Sequence, residues 1–184
     1  LGQEGERLGA GAGGPVILTY ASELGLKWSR LPIDVNETNC SDQCALSGRD
    51  QDILNLQTSG INPYLIINPR KVNEWMSPQQ YAQALRYIVE RYDGDGEEDM
   101  PDLKKPVRVV ELVNEYSSHF NPDLNPSREL FIAYFQAGLN ALKQACENCL
   151  VAYDPFDEAD TRRLFEKIPA EAVDIIAIHS YSPL

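Results

Sequence analysis

Asn114 and Glu115 stand at the end of Val107-Arg108-Val109-Val110-Glu111-Leu112-Val113, an apolar run broken only by Arg108 and Glu111. Such a run reads as a short buried strand, and it ends on an amide and a carboxylate with no turn residue between. A carboxylate at the C-terminal end of a parallel strand is where an α/β barrel places its chemistry. Two other expected strand ends carry polar groups: Arg30, and His179 together with Tyr181. Each of these residues also has a plain structural reading. Glu115 can be a solvated strand-end carboxylate, and Arg30 can pair with Asp34 or Glu111. His179 can be a buried, hydrogen-bonded histidine, His119 a loop residue, and Trp28 a core residue rather than a stacking face.

The elements that must position these groups alternate regularly. Residues 1–14 are rich in Gly and lack periodicity, so they read as a flexible leader to a single domain over 15–184. A helix is expected from Val16 to Leu24, stopped by Gly25, then a strand from Leu26 to Leu31 with Pro32 near its end. A polar loop runs to about Ser47, followed by a helix from about Asp50 to Thr58 and a strand from Pro63 to Ile67. Ser77-Pro78 offers an N-cap with proline at the first helical position. Tyr81, Leu85, Ile88, Val89 and Tyr92 share one face of the helix that follows. After the strand that ends in Asn114-Glu115 comes a long helix, about Pro126 to Gln144, then a strand from Leu150 to Tyr153. A short helix from Ala159 to Lys167 and a strand from Val173 to Tyr181 complete the chain. Short continuous apolar strands alternating with helices predict an α/β fold with a parallel sheet covered by helices. A doubly wound nucleotide-binding fold would want a Gly-rich turn between first strand and helix, and the sequence has none.

With 184 residues, of which 43% are hydrophobic and 24% charged, the chain suits one globular domain with a real core. A formal charge of −12 repels polyanions, so nucleic acid is not an expected partner. No apolar run approaches the length of a membrane span, and no signal peptide is visible. The cysteines form two close pairs, Cys40/Cys44 and Cys146/Cys149. Local disulfides or free thiols are favoured over a four-cysteine zinc site, because the first pair lacks the usual two-residue gap. Asn36-Glu37-Thr38 and Asn39-Cys40-Ser41 match glycosylation acceptors. An extracellular or secreted location is expected ahead of a cytoplasmic one. The acidic stretch from Asp93 to Asp99 lacks the spacing and bidentate Glu of an EF-hand loop, so it reads as a solvated loop. No metal and no cofactor are expected.

Taken in order, Arg30, Asn114-Glu115 and His179-Ser180-Tyr181 make the chain resemble the large clan of retaining glycoside hydrolases built on a (β/α)8 TIM barrel (clan A). In that clan the fourth strand ends in Asn-Glu, the second commonly carries an Arg in the site, and the sixth ends in His-x-Tyr. The run Glu90-Arg91-Tyr92-Asp93-Gly94-Asp95-Gly96 also looks like that of bacterial members. The resemblance implies a partial barrel, about strands two to six, spanning Ile17 to Tyr181. It implies a carbohydrate substrate, with Glu115 as general acid/base and Asn114 holding a sugar 2-hydroxyl. Arg30 would keep the second carboxylate ionised. His179 and Tyr181 would orient carboxylates or sugar, and Trp28 or Trp75 would offer a stacking face. The family nucleophile is a Glu on strand seven, which the chain does not reach, so little activity is expected of these 184 residues alone. A full barrel takes about 250 residues. The alternative is a carbohydrate-binding or structural module that has lost the chemistry. A metal-dependent barrel hydrolase would need more ligands than two histidines supply. Open strand edges would also favour self-association.

Overall fold

The computed structural model describes residues 15–35, 46–69, 76–114, 128–155 and 158–178. Helix α1 (Pro15–Glu23) leads to strand β1 (Trp28–Asp34), then α2 (Ser47–Thr58) and β2 (Asn62–Asn68). After α3 (Pro78–Glu90) come β3 (Val109–Leu112), α4 (Arg128–Ala145), β4 (Leu150–Tyr153), α5 (Glu158–Phe165), a 3-10 turn (Ala170–Ala172) and β5 (Ile175–Ile176). The five strands form one sheet in the order β1-β2-β3-β4-β5, and every neighbouring pair is parallel. Helix α1 precedes the first strand, and α2 to α5 each cross between adjacent strands, which is the alternation expected from the sequence.

Strand alternation sorts the side chains into two faces. One face carries Leu31, Ile33, Leu65, Ile67, Val110, Leu112, Val151 and Tyr153, and all of them are buried under the helices in the main core. From α3 that core receives Tyr81, Leu85, Ile88 and Val89, the apolar face read from the sequence. The helix starts as the Ser77-Pro78 pair predicts. Ser77 Oγ accepts from Gln80 N at 3.2 Å and Gln80 Oε1 accepts from Ser77 N at 2.9 Å, a reciprocal cap. Helix α4 then lies so close to α3 and β3 that only Gly fits at 138: a Cβ there would meet Tyr81 Cε1 at 2.8 Å and Leu112 Cδ2 at 3.4 Å. A smaller cluster of Leu18, Ala21, Leu26, Leu56 and Ile61 joins α1 to α2.

Three strands differ from expectation. β1 begins at Trp28 and runs through Pro32 to Asp34, which an edge strand permits because a proline there need not donate to a neighbour. Arg30 is therefore inside the strand rather than at its end. β3 stops at Leu112, because Val113 adopts a left-handed backbone with φ 58°. β5 covers only Ile175 and Ile176, the middle of the apolar stretch assigned to it. The leader 1–14 lies outside the described residues.

The Cys146/Cys149 pair and the acidic loop precede β4 and β3, at the N-terminal ends of those strands. Cys146 and Cys149 form a disulfide between α4 and β4, with S–S 2.08 Å, so one local bridge exists and the second pair belongs to no four-cysteine zinc site. Cys40 and Cys44 lie outside the described residues. The acidic loop before β3 braces itself. Asp99 accepts from the backbone N of Gly94 at 2.9 Å and of Gly96 at 2.8 Å, and Asp95 accepts from that of Glu97 at 2.8 Å. None of the described helices is long and apolar enough to cross a membrane.

Candidate functional site on the inner face of the sheet

The face turned away from the helices, the side that a barrel would enclose, carries a polar group among apolar residues such as Ile66 and Ala152. The register places Arg30 beside Tyr64, Ile66 beside Glu111, and Glu111 beside Ala152. Parallel strands in register bring neighbouring side chains to the same side, so Arg30, Tyr64 and Glu111 meet there.

Glu111 is the centre of the group and is 0% exposed. Its Oε1 accepts from Arg30 Nη2 at 2.7 Å and its Oε2 from the same nitrogen at 2.9 Å. Tyr64 donates its hydroxyl to Oε2 at 2.5 Å. The Arg30 guanidinium also lies 5.7 Å from the centroid of the Tyr64 ring. Burial pushes the Glu111 carboxyl above the ordinary Glu range, and the Asp154 charge adds to that. The Tyr64 hydroxyl and the Arg30 cation pull the other way. Burial also drives the Tyr64 hydroxyl well above its ordinary value, with the neighbouring Glu111 charge as the next cause. Tyr64 is therefore a neutral donor across the physiological range.

Asn114 joins this group by its side chain and its backbone. Its Oδ1 accepts from Arg30 Nη2 at 2.7 Å, and its N–H donates to Asn68 Oδ1, at the end of β2, at 2.8 Å. Regular alternation from Glu111 would send residue 113 inward and residue 114 outward. The left-handed turn at Val113 reverses that: Val113 packs into the helix-side core and Asn114 comes to the inner face. A β-branched residue at positive φ is a strained conformation, and here it carries the parity switch that delivers the amide. Because Oδ1 is occupied by Arg30, the Nδ2 hydrogens are the donors left for a ligand.

Two of the residues singled out in the sequence, Arg30 and Asn114, are thus brought together. Arg30 pairs with Glu111, one of the two carboxylates considered for it. Trp28 does not join them: β1 starts at Trp28, so this residue stands at the opposite end of the sheet from Asn114, paired in register with Asn62. Glu115, His179 and Tyr181 lie outside the described residues, as do Trp75 and His119. Tyr64 and Asn68 were missed in the sequence. The signal was the alternation Tyr64-Leu65-Ile66-Ile67-Asn68, whose polar members share the inner parity while Leu65 and Ile67 enter the core. Asp154, just beyond β4, is buried as well, and its charge reaches both Glu111 and Tyr64.

Among the described residues, carboxylates gather closely enough for a metal only in the acidic loop, as Glu90/Asp95/Glu97 and Asp93/Asp95/Asp99. That loop precedes β3 and lies at the far end of the sheet from Asn114.

No protein-family model and no curated protein matches the sequence. Solved structures do match the fold. A glucosidase from Croceicoccus marinus superposes with a TM-score of 0.71 at 12% identity, over 95% of this chain and 43% of the other. A family 1 β-glucosidase from Thermotoga maritima gives 0.56 at 13% identity, over 82% of this chain and 41% of the other. A family 39 glycoside hydrolase from Bacteroides cellulosilyticus gives 0.56 at 12% identity, over 76% of this chain and 28% of the other. The fold is an α/β fold of parallel strands alternating with helices, like part of the TIM barrels of these neighbours. The chain spans less than half the length of each of these neighbours. The five described strands therefore answer to a consecutive portion of a barrel, with Asn114 just past the C-terminal end of β3, the end at which a barrel places its site.

Proposed function

We propose that the chain belongs to a retaining glycoside hydrolase that cleaves β-linked glycosides through a covalent glycosyl-enzyme, with Glu115 as general acid/base. The observation that supports this reading best is the Arg30–Glu111–Asn114 network, set at the inner face of a sheet with a glycosidase-like fold. Retaining hydrolysis needs one carboxylic acid to protonate the leaving oxygen and a second carboxylate to attack the anomeric carbon. Glu115 directly follows Asn114, so an amide pointed at the ligand would stand next to the proton donor. The Asn114 Nδ2 group would hold the sugar 2-hydroxyl, a contact that strengthens as the oxocarbenium-like transition state forms. Arg30 keeps a buried Nε without a partner among the described residues. We assign that donor to the nucleophilic carboxylate. His179 and Tyr181 would orient the carboxylates or the sugar.

The test is hydrolysis of aryl β-glycosides by the full-length natural protein and by its Glu115→Gln variant. The variant is expected to lose about a hundredfold or more in kcat, the scale of general acid–base catalysis. An unaffected variant would sink the assignment. A second reading, a saccharide-binding module without turnover, draws on the fact that Arg30 is already paired by Glu111 within the chain. It predicts oligosaccharide binding by calorimetry with no hydrolysis in either protein. We also place the protein in an oxidising, extracellular compartment, supported by the Cys146–Cys149 bridge.

A further inference from the structure

We propose that Glu111 is a positioning residue that works through Arg30 to set which end of the Asn114 amide faces the ligand, and so controls recognition of a single sugar hydroxyl. The inference rests on the glycosidase reading for the identity of that hydroxyl, but its geometry is independent of it.

One nitrogen, Arg30 Nη2, touches both oxygens of Glu111 and Oδ1 of Asn114. A guanidinium has donors and no acceptor, so only an oxygen of the amide can face it. If the amide turned over, two N–H groups would oppose each other. Arg30 therefore locks Asn114 with Oδ1 inward and Nδ2 outward, where it can donate to a hydroxyl oxygen. What locks Arg30 is Glu111, because both Glu111 oxygens hold the same guanidinium nitrogen. Tyr64 restrains the carboxylate from the β2 side.

Glutamine cannot replace Glu111 in this role, although its shape is nearly the same. It offers one acceptor oxygen where Arg30 and Tyr64 now share two, and its NH2 group would face a donor. The Tyr64 hydroxyl can reverse and accept, whereas Arg30 cannot. The damage falls on Arg30 and hence on the Asn114 amide. The Asn114 backbone, in contrast, is held without Glu111, by the Asn68 side chain and by the left-handed Val113. Loss of Glu111 should free the amide and leave the chain path intact.

The experiment compares the full-length natural protein with Glu111→Gln and Tyr64→Phe on an aryl β-glycoside and its 2-deoxy counterpart. On the ordinary substrate, Glu111→Gln is expected to lower kcat by roughly ten- to a hundredfold with a smaller change in KM, because the affected contact strengthens in the transition state. On the 2-deoxy substrate, where that contact is already missing, the same variant should lose less than about threefold. Tyr64→Phe should follow the same pattern with smaller losses. Equal losses by Glu111→Gln on both substrates would overturn the proposal and leave Glu111 a purely structural residue. A parallel measurement decides the point without turnover. The side-chain amide signals of Asn114, assigned by their loss in Asn114→Ala, should shift or broaden in Glu111→Gln while the backbone amide signal of Asn114 stays in place. Unmoved side-chain signals would overturn the proposal. If the natural protein hydrolyses no glycoside, the glycosidase reading fails, and the amide spectrum still decides the role of Glu111.

Discussion

Val113 shows how one residue can redirect a strand. Its side chain is buried and 1% exposed, and its φ of 58° lies in a region that β-branched residues rarely occupy. Left-handed backbone costs a non-glycine residue about 1–2 kcal/mol, whereas glycine adopts it freely. In an ordinary strand, alanine is better tolerated than glycine. At position 113 the order should invert. Val113→Gly is expected to be more stable than Val113→Ala although it removes more side chain, and urea denaturation of the two variants checks this. The opposite order would mean that residue 113 is not left-handed in solution. The Asn114 side of the turn follows from the same residue. The pair Asn114-Glu115 was legible as a polar ending to an apolar run, and the Arg30–Glu111 pairing was one of two options open in the sequence. The parity of Asn114 was not legible. Alternation counted from Glu111 points it outward, and nothing in Val113 as a residue type announces a positive φ.

At the scale of elements, α3, α4 and β3 share one tight junction. Tyr81 is fixed there by its hydroxyl, which donates to Ile67 O at 2.8 Å, and by an edge-to-face contact with Tyr134 at 5.8 Å. Gly138 lies against that ring, so a methyl group added at 138 has no room to displace it. Gly138→Ala would raise intrinsic helix propensity by about 1 kcal/mol. Overpacking should outweigh that gain and leave a net loss of roughly 1–2 kcal/mol. A higher thermal midpoint in the variant would contradict the packing described. The helices themselves were legible because their apolar faces repeat at helical spacing and their starts and stops carry Ser77-Pro78 and Gly25. Strand ends were harder to place. A strand ends where pairing ends, and pairing depends on neighbours far away in sequence: Asp34 is held in β1 by its register with Asn68, not by any local signal.

The whole molecule carries a formal charge of −12, and among the described residues the carboxyls of Glu111, Glu90 and Asp93 are shifted in the same direction. Burial raises Glu111 and Glu90 above the ordinary 4.5, and Asp93 above 3.8, with neighbouring acidic groups adding to each. The folded protein thus holds these protons more tightly than the unfolded chain does. Between the ordinary carboxylate values and the raised ones, the native state binds more protons, so stability falls as pH rises through that window. The urea midpoint should be higher near about pH 5 than near about pH 8. A midpoint that rises steadily with pH would show that ionised pairs, Arg30–Glu111 foremost, outweigh burial. Edges matter at this scale too. β1 and β5 are the outer strands among the described residues, and Ile176 of β5 and Ile178 just after it are 49% and 78% exposed. The 184-residue chain on its own is expected to associate, which light scattering would detect, and a monomer at high concentration would count against it. The alternation of strands and helices, the helix faces and the residue types available for chemistry could be read from residue order, because these depend on spacing along the chain. That Arg30, Tyr64, Glu111 and Asn114 form one hydrogen-bonded group emerges from the folded arrangement. Contact among them depends on the register of three strands and on one left-handed residue, and neither is set by local sequence.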